Sequence, residues 1–348
     1  MPASTTPPTA SIIVPCYNEV RTIGALLEAI AAQSPAPAEL EVIIADGGSN
    51  DGTREAIGVF AESHPELRLH VVDNPARTIP AALNTAIGYA SGGVVIRLDA
   101  HSVPRPDYVR RCLETLARTK AANVGGLWDI RPGAESWMGR GIAAAAAHPL
   151  GAGDARYRID GAEGPVDTVP FGAFDRGWLN KVGSFNEGLL ANEDYEYNVR
   201  IRRAGGVVYF DPAIRSGYVA RPNLRGLARQ YARYGFWKAR MLLRFPGSLR
   251  WRQALPPLFT LTSVILLAGA AFNEWARTAL TFAWGAYAAI LLLAGFLEAL
   301  RRRQGALILS FPLSIATIHF TWGGAFWIGL AAGPTARASV PGSPDGPR

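Results

Sequence analysis

The chain has 348 residues, 49% hydrophobic and 18% charged, with a net charge of +7 and a mean hydropathy of +0.10. That balance is too apolar for a purely soluble enzyme and too charged for a chain lying wholly in a membrane. Its two cysteines, Cys16 and Cys112, stand at no metal or redox spacing and exclude a disulfide framework.

Residues 1–9 carry no basic start and no apolar stretch, and are expected to be a disordered lead-in rather than a signal peptide. From there strand-like and helix-like segments alternate. Ser11–Pro15 reads as a short buried strand. Thr22–Gln33 has helical spacing, with Ile23, Leu26, Leu27 and Ile30 on one face. Glu41–Ala45 is the next strand and Thr53–Glu62 the next helix. Arg68–Val72, Pro80–Ala90, Gly93–Leu98 and Pro106–Thr119 continue the alternation. This order predicts an α/β fold, a parallel sheet with helices on both faces. Ligands of such sheets sit beyond the carboxyl ends of the strands, so the strand tips are the places to search.

The first strand ends in Pro15-Cys16-Tyr17-Asn18-Glu19, the second in Ala45-Asp46-Gly47-Gly48-Ser49-Asn50-Asp51-Gly52-Thr53. The glycines allow a tight turn, and Ser49, Asn50 and Asp51 suit a helix cap. Asp46 at the tip suits a hydrogen bond to a nucleobase or ribose; an ordinary Asp/Gly turn uses the same residues. The fourth strand runs into Asp99-Ala100-His101. A carboxylate and an imidazole so spaced can reach one ion, Mn2+ or Mg2+, which would neutralise a diphosphate as it leaves. Further on, Glu193-Asp194 precedes a helix-like run. A carboxylate there can accept a proton; acids in a helix's first turn are also ordinary. The helix N-terminus favours ionisation of Asp194, whereas Glu193 and Glu196 oppose it, and the residues alone leave the outcome open.

From Arg215 to Arg252 there are ten Lys or Arg residues and no acid. Arg221, Arg225, Arg229 and Arg233 recur every four positions and form a stripe on a helix. An anionic membrane surface or a lipid pyrophosphate fits this stripe better than nucleic acid does, because it leads directly into apolar sequence; the alternative is a solvated face. Three apolar runs follow: Ala254–Phe272, Thr278–Leu300 with Glu298, and a stretch within Gly305–Gly333 containing His319. Each reaches the ~20 residues a membrane span requires. The alternative, buried helices of a soluble protein, would leave the cluster without a partner layer. Arg244, Arg250 and Arg252 precede the first run, and Arg301, Arg302 and Arg303 separate the second from the third. Both basic segments are therefore expected in the cytoplasm. The N-terminal domain then lies inside and the tail, residues 334–348, lies loose outside. The expected plan is a domain over 10–240, a basic juxtamembrane segment over 241–252 and three transmembrane helices over 253–333.

Pro15-x-Tyr17-Asn18-Glu19, Asp46-x-Gly48-Ser49-x-Asp51-Gly52-Thr53 and Asp99-Ala100-His101, each at a strand end, resemble family 2 glycosyltransferases of the GT-A fold. The family often has two adjacent acids in the second motif, where Gly47 takes the second place. Its metal motif is usually Asp-x-Asp, where His101 replaces the last acid. The resemblance implies that Pro15, Tyr17, Glu19, Asp46, Gly48, Ser49 and Asp99 bind a nucleotide-sugar, UDP-linked, and that Asp99 and His101 hold Mn2+ or Mg2+. It implies Asp194 as the general base, with Glu193 beside it. Gln230-x-x-Arg233-Tyr234 is similar to the Gln-x-x-Arg-Trp motif of processive, membrane-linked members. There an arginine pairs with the donor diphosphate and the aromatic stacks on an acceptor sugar. The loop Asp167–Leu189 is similar to the family's acceptor-side segment, where Phe171, Phe174 and Trp178 would line a sugar site; most such aromatics are core. The pattern is most like the succinoglycan-type exopolysaccharide glucosyltransferases. The expected activity is inverting transfer to a lipid-linked or polysaccharide acceptor at the cytoplasmic face. Rival readings are a polyprenyl-phosphate glycosyltransferase and a nucleotide-binding membrane scaffold without turnover.

Overall fold

The computed structural model describes residues 8–34 and 37–333. The expected lead-in, apart from Pro8 and Thr9, and the expected tail lie outside the described residues. The chain forms two units, residues 1–129 with 156–218, and residues 130–155 with 219–348.

The first unit opens with β1 (Ala10–Cys16), α1 (Ile23–Ala31), β2 (Leu40–Asp46), α2 (Thr53–Ser63), β3 (Arg68–Asp73), α3 (Ile79–Tyr89) and β4 (Val94–Arg97). Strands β3, β2, β1 and β4 lie side by side and parallel. The sheet partitions its own side chains, because successive residues of a strand point to opposite faces. Ile12, Val14, Val42 and Ile44 enter one apolar core with Leu26, Leu27 and Ile30 of α1. Ile13, Ile43 and Ala45 enter the other with Ala82, Leu83 and Ala86 of α3.

Beyond β4 the sheet departs from the all-parallel expectation. After β5 (Val103–Pro104), α4 (Tyr108–Thr119) and β6 (Asn123–Arg131) come α5 (Trp137–Ala146), α6 (Pro149–Ala152), α7 (Arg156–Ile159) and β7 (Gly164–Pro165). Then follow β8 (Ala173–Asp175), α8 (Arg176–Val182), α9 (Glu193–Arg203) and β9 (Val208–Val219). The strand order is β3-β2-β1-β4-β8-β6-β9-β5, with β7 on β9. β8 runs antiparallel to both β4 and β6. The segment read as a loop thus contributes a short strand, one too brief to carry a periodic signal of its own.

The second unit holds α5, α6, α10 (Leu224–Arg244), α11 (Trp251–Ala270), α12 (Glu274–Arg302) and α13 (Leu307–Ala331). The last three are long and apolar enough to cross a membrane, with mean hydropathies of 1.5, 1.9 and 1.3. They are not alike. Of their apolar windows, 6% of α11 and 11% of α12 are buried, against 39% of α13. α13 is the central helix of the unit. A methyl group at Gly235 of α10 would come within 2.2 Å of the Trp322 carbonyl oxygen, and one at Gly329 within 2.4 Å of that of Phe236. Only glycine permits such backbone contact between helices. α10 as a whole therefore groups with the later helices, although the expected domain boundary fell at residue 240. The His319 ring lies 3.0 Å from the Tyr287 hydroxyl and 2.8 Å from the Leu150 carbonyl, so both its nitrogens are engaged.

Candidate active site

The tips of β1 and β2 are stitched together by side chains that bond backbone. Asn18 N donates to Ser49 Oγ (2.8 Å), Asn50 N to Asn18 Oδ1 (3.0 Å) and Glu19 N to Thr53 Oγ1 (2.9 Å). Asn18 and Gly48 both adopt positive φ, 54° and 76°, which makes the two turns tight. Tyr17 packs its ring against Gly47, where an added Cβ would meet it at 3.0 Å. The guanidinium of Arg77 lies 5.6 Å from the centre of the same ring.

Asp46 is fully buried, and its carboxylate is turned into its own loop. It accepts from Gly48 N and Ser49 N, both at 3.1 Å, from the Ser49 hydroxyl, and from Arg54 Nε at 2.5 Å. Arg54 also pairs with Asp73 at the tip of β3. Burial pushes the Asp46 carboxyl up, but the Ser49 and Arg54 bonds outweigh it and hold the group below the usual aspartate value. Glu19 follows the same logic. Burial raises it, and hydrogen bonds with His101 and Thr22 lower it further than that. The ordinary value of Cys16 is pushed up to about 12, first by burial and then by Asp46, which removes a thiolate from the chemistry available here.

Past β4 the chain turns at Asp99, whose carbonyl accepts from Ser102 N and Oγ, both at 2.8 Å. The turn brings His101 Nδ1 to 3.5 Å from Glu19 Oε1. Asp99 Oδ1 lies 3.1 Å from Arg97 Nε, and Arg97 Nη2 lies 3.0 Å from Glu193 Oε1. Glu193 opens α9 after Asn192, a residue at φ 61°. Asp194 follows, its Oδ1 accepting from Tyr195 N at 2.7 Å. Burial pushes the Asp194 carboxyl up to about 6, and Glu193 adds to the rise against Arg97 and the Tyr195 N–H. The competition that the residues alone left open is thus decided for a raised value. Glu196 takes little part, since it pairs with Arg200 at 3.0 Å.

The structure therefore places Tyr17, Glu19, Asp46, Gly48, Ser49, Asp99, His101, Glu193 and Asp194 in one run at the carboxyl ends of β1, β2 and β4, made of two sets of contacts, the β1 and β2 loops with His101 against Glu19, and Asp99–Arg97–Glu193, joined through the backbone turn from Asp99. Pro15 is part of β1 itself. Phe171 and Phe174 are not in that run. Both are buried, Phe171 against Trp128 and Phe174 edge-on to Phe185 and Tyr197. Trp178 packs on the same core, with Lys181 Nζ 4.3 Å from its ring centre. Gln230, Arg233 and Tyr234 stand on one face of α10 in the second unit, with Gln230 Nε2 donating to the Tyr234 hydroxyl at 3.1 Å. Arg54, Arg77 and Arg97 lie at the site and escaped the sequence reading. Arg97 had a signal: a charge inside an apolar strand run must find partners.

A divalent ion fits the donor set only as a shared ligand. Among the described residues no group of three or more His, Cys, Asp or Glu side chains gathers as a metal cage. His101 Nδ1 faces Glu19 Oε1, and Asp99 lies two residues earlier on the same turn. Ions held with substrate phosphates typically take only one or two carboxylates from the protein.

A parallel half-sheet closed by antiparallel strands, with acidic loops at the carboxyl ends, defines a GT-A glycosyltransferase fold. Residues 11–183 match the family described as Glycosyl transferase family 2. The succinoglycan biosynthesis protein ExoA of Rhizobium meliloti is 31% identical over 319 residues, 91% of this chain and 93% of its own length. The dolichyl N-acetyl-alpha-D-glucosaminyl phosphate 3-beta-D-2,3-diacetamido-2,3-dideoxy-beta-D-glucuronosyltransferase of Methanococcus voltae is 27% identical over 263 residues, 74% of this chain and 81% of its own. The solved mannosyltransferase PcManGT from Pyrobaculum calidifontis, in complex with GDP-Man and Mn2+, has the same fold, with a TM-score of 0.56 at 22% identity over 92% of this chain and 89% of that one. The chain belongs to glycosyl transferase family 2 and is a glycosyltransferase.

Proposed function

We propose that the chain is an inverting, divalent-metal-dependent glycosyltransferase. It moves a sugar from a nucleotide-sugar, UDP-linked by family resemblance, to a lipid-linked saccharide at the cytoplasmic face of a membrane. The observation that carries this reading is the pair of contact sets Glu19–His101 and Asp99–Arg97–Glu193, joined by the turn from Asp99 to His101, with Asp194 next to Glu193. It supports one site served by donor-side and acceptor-side carboxylates. Tyr17 and the Gly48–Asp51 loop bind the nucleoside, with Asp46 and Arg54 shaping that loop from beneath. Asp99 and His101 would hold Mn2+ or Mg2+. When bound, such an ion neutralises the diphosphate as it departs.

Asp194 takes the proton of an acceptor hydroxyl as its oxygen attacks the anomeric carbon. The bond from that carbon to the diphosphate oxygen breaks on the opposite face, and the configuration inverts. A base with a value near 6 is ionised at neutral pH and still basic enough to help. The Methanococcus relative supports a hydroxyl acceptor, since its name gives a dolichyl-phosphate sugar as acceptor. For the membrane side, basic residues at 244–252 and 301–303 support a cytoplasmic placement. Trp251 and Trp275, at the starts of α11 and α12, are 70% and 84% exposed, as interfacial anchors are.

The test is incubation of membranes with a panel of labelled nucleotide-sugars and Mn2+, followed by extraction of lipid. Label from one donor should enter the lipid fraction and vanish in Asp194→Asn. Undiminished transfer by that variant would instead favour a polyprenyl phosphate acceptor, which arrives ionised and needs no base. Donor binding without any transfer or hydrolysis would favour the scaffold reading.

A further inference from the structure

Arg97 ends β4, directly after the fully buried Val95 and Ile96. Its side chain is 7% exposed and stands between two carboxylates, Asp99 at 3.1 Å and Glu193 at 3.0 Å. The third guanidinium nitrogen, Nη1, is buried and has no hydrogen-bond partner among the described residues. We propose that Arg97 is a positioning residue that sets the separation between the donor-side carboxylate Asp99 and the Glu193–Asp194 pair. The proposal rests on the reading above, in which Asp99 serves the donor and Asp194 the acceptor.

Stability does not account for this arginine. Exchanging a buried ion pair for apolar side chains of similar volume is often neutral or favourable. A buried donor left without a partner adds a further cost. An apolar residue in the manner of Val95 would avoid both costs. What the guanidinium supplies is fixed geometry, because its donors form a rigid planar fork. One arm holds the carboxylate that follows β4 and another the carboxylate that opens α9. Asp194 is bonded to Glu193 through the backbone, so the arm on Glu193 also aims Asp194. The donor-side and acceptor-side groups then share one rigid reference, and the reacting atoms meet at a set distance.

The test uses the full chain in membranes with Arg97→Met, Arg97→Lys, Glu193→Gln and the double variant Arg97→Met/Glu193→Gln. Arg97→Met should lower kcat for transfer on the order of 100-fold, the cost of about an ångström of misplacement. Calorimetric binding of UDP with Mn2+ should stay within about threefold, because uniform binding is untouched. More donor should be hydrolysed per sugar transferred. Arg97→Lys should fall between Arg97→Met and the wild type. The double variant should be no slower than Arg97→Met, since both changes cut one tether. Losses that multiply in the double variant, or a loss confined to UDP binding with kcat intact, would overturn the proposal. Should Arg97→Met fail to fold, Glu193→Gln decides alone. It keeps the shape of the side chain, and a wild-type kcat in it overturns the proposal. A wild-type-like Asp194→Asn would instead overturn the underlying reading, and this proposal with it, while Arg97 stays intact.

Discussion

The two halves of the site hold their carboxylates in opposite states. At the tips of β1 and β2, half-buried Glu19 and buried Asp46 are kept below their ordinary values, because hydrogen bonds with His101 and Thr22 reach the first and with Ser49 and Arg54 the second. At the start of α9, Asp194 is raised to about 6, because burial and Glu193 outweigh its few donors. Carboxylates pushed apart in this way have different work. Those that brace the turns at β1 and β2 stay charged, and the proposed base, Asp194, is left under-compensated.

The largest expected effect comes from Asp194→Asn. Transfer should fall ~10²–10⁴-fold, the usual contribution of a positioned base. The same variant should melt at a higher temperature than the wild type at pH 8. A raised carboxyl means that the folded state holds its proton more tightly, so stability declines as pH climbs from the unfolded value near 4 through about 6. Asparagine escapes that decline. Scanning calorimetry at pH 5 and pH 8 checks this, and a lower melting point at pH 8 would break the contrast between the halves.

Next in size is the pH profile. The kcat/KM of the wild type should drop about tenfold per unit below the value near 6 and level off above it. Glu193→Gln removes the negative neighbour that helps raise Asp194, so the inflection should move to lower pH. An inflection that stays put or rises would mean that another group controls the limb.

A smaller effect is expected on the donor side. Asp46→Asn should cost about 1–3 kcal/mol of stability and raise the donor KM, while leaving the pH inflection where it was. Because the Asp46 value is lowered on folding, the stability it contributes is present above the unfolded value near 4 and lost only as pH falls below that. Least of all, Ser49→Ala removes one hydroxyl bond to Asp46 and the acceptor of Asn18 N. About 0.5–1.5 kcal/mol of stability should go with kcat kept. A large kcat loss in Ser49→Ala would sharpen the comparison differently, by giving the donor loop a part in the chemical step.

Much of the donor half is legible along the chain, because its parts are local. The βα alternation sets the strand tips, and the Tyr17–Glu19 and Asp46–Thr53 stretches lie on loops that bond to each other directly. The acceptor half is less legible. Arg97 looks like an interruption of an apolar strand until Glu193, remote in sequence, is seen beside it. β8 is too short for periodicity to reveal. Hydropathy likewise selects α11, α12 and α13 alike, yet α13 is the buried one, and Gly235 and Gly329 explain why only when α10 is seen against it.

The order of residue types settles the fold class, the loops that can face a nucleotide-sugar and the apolar stretches long enough to span a bilayer. These depend on period and spacing, which are properties of a line. Folding alone decides that the Asp46 carboxylate turns inward, that Asp194 gains its raised value and that one guanidinium joins the two halves. These depend on burial and on charges a few ångströms apart, and only the folded chain has such distances.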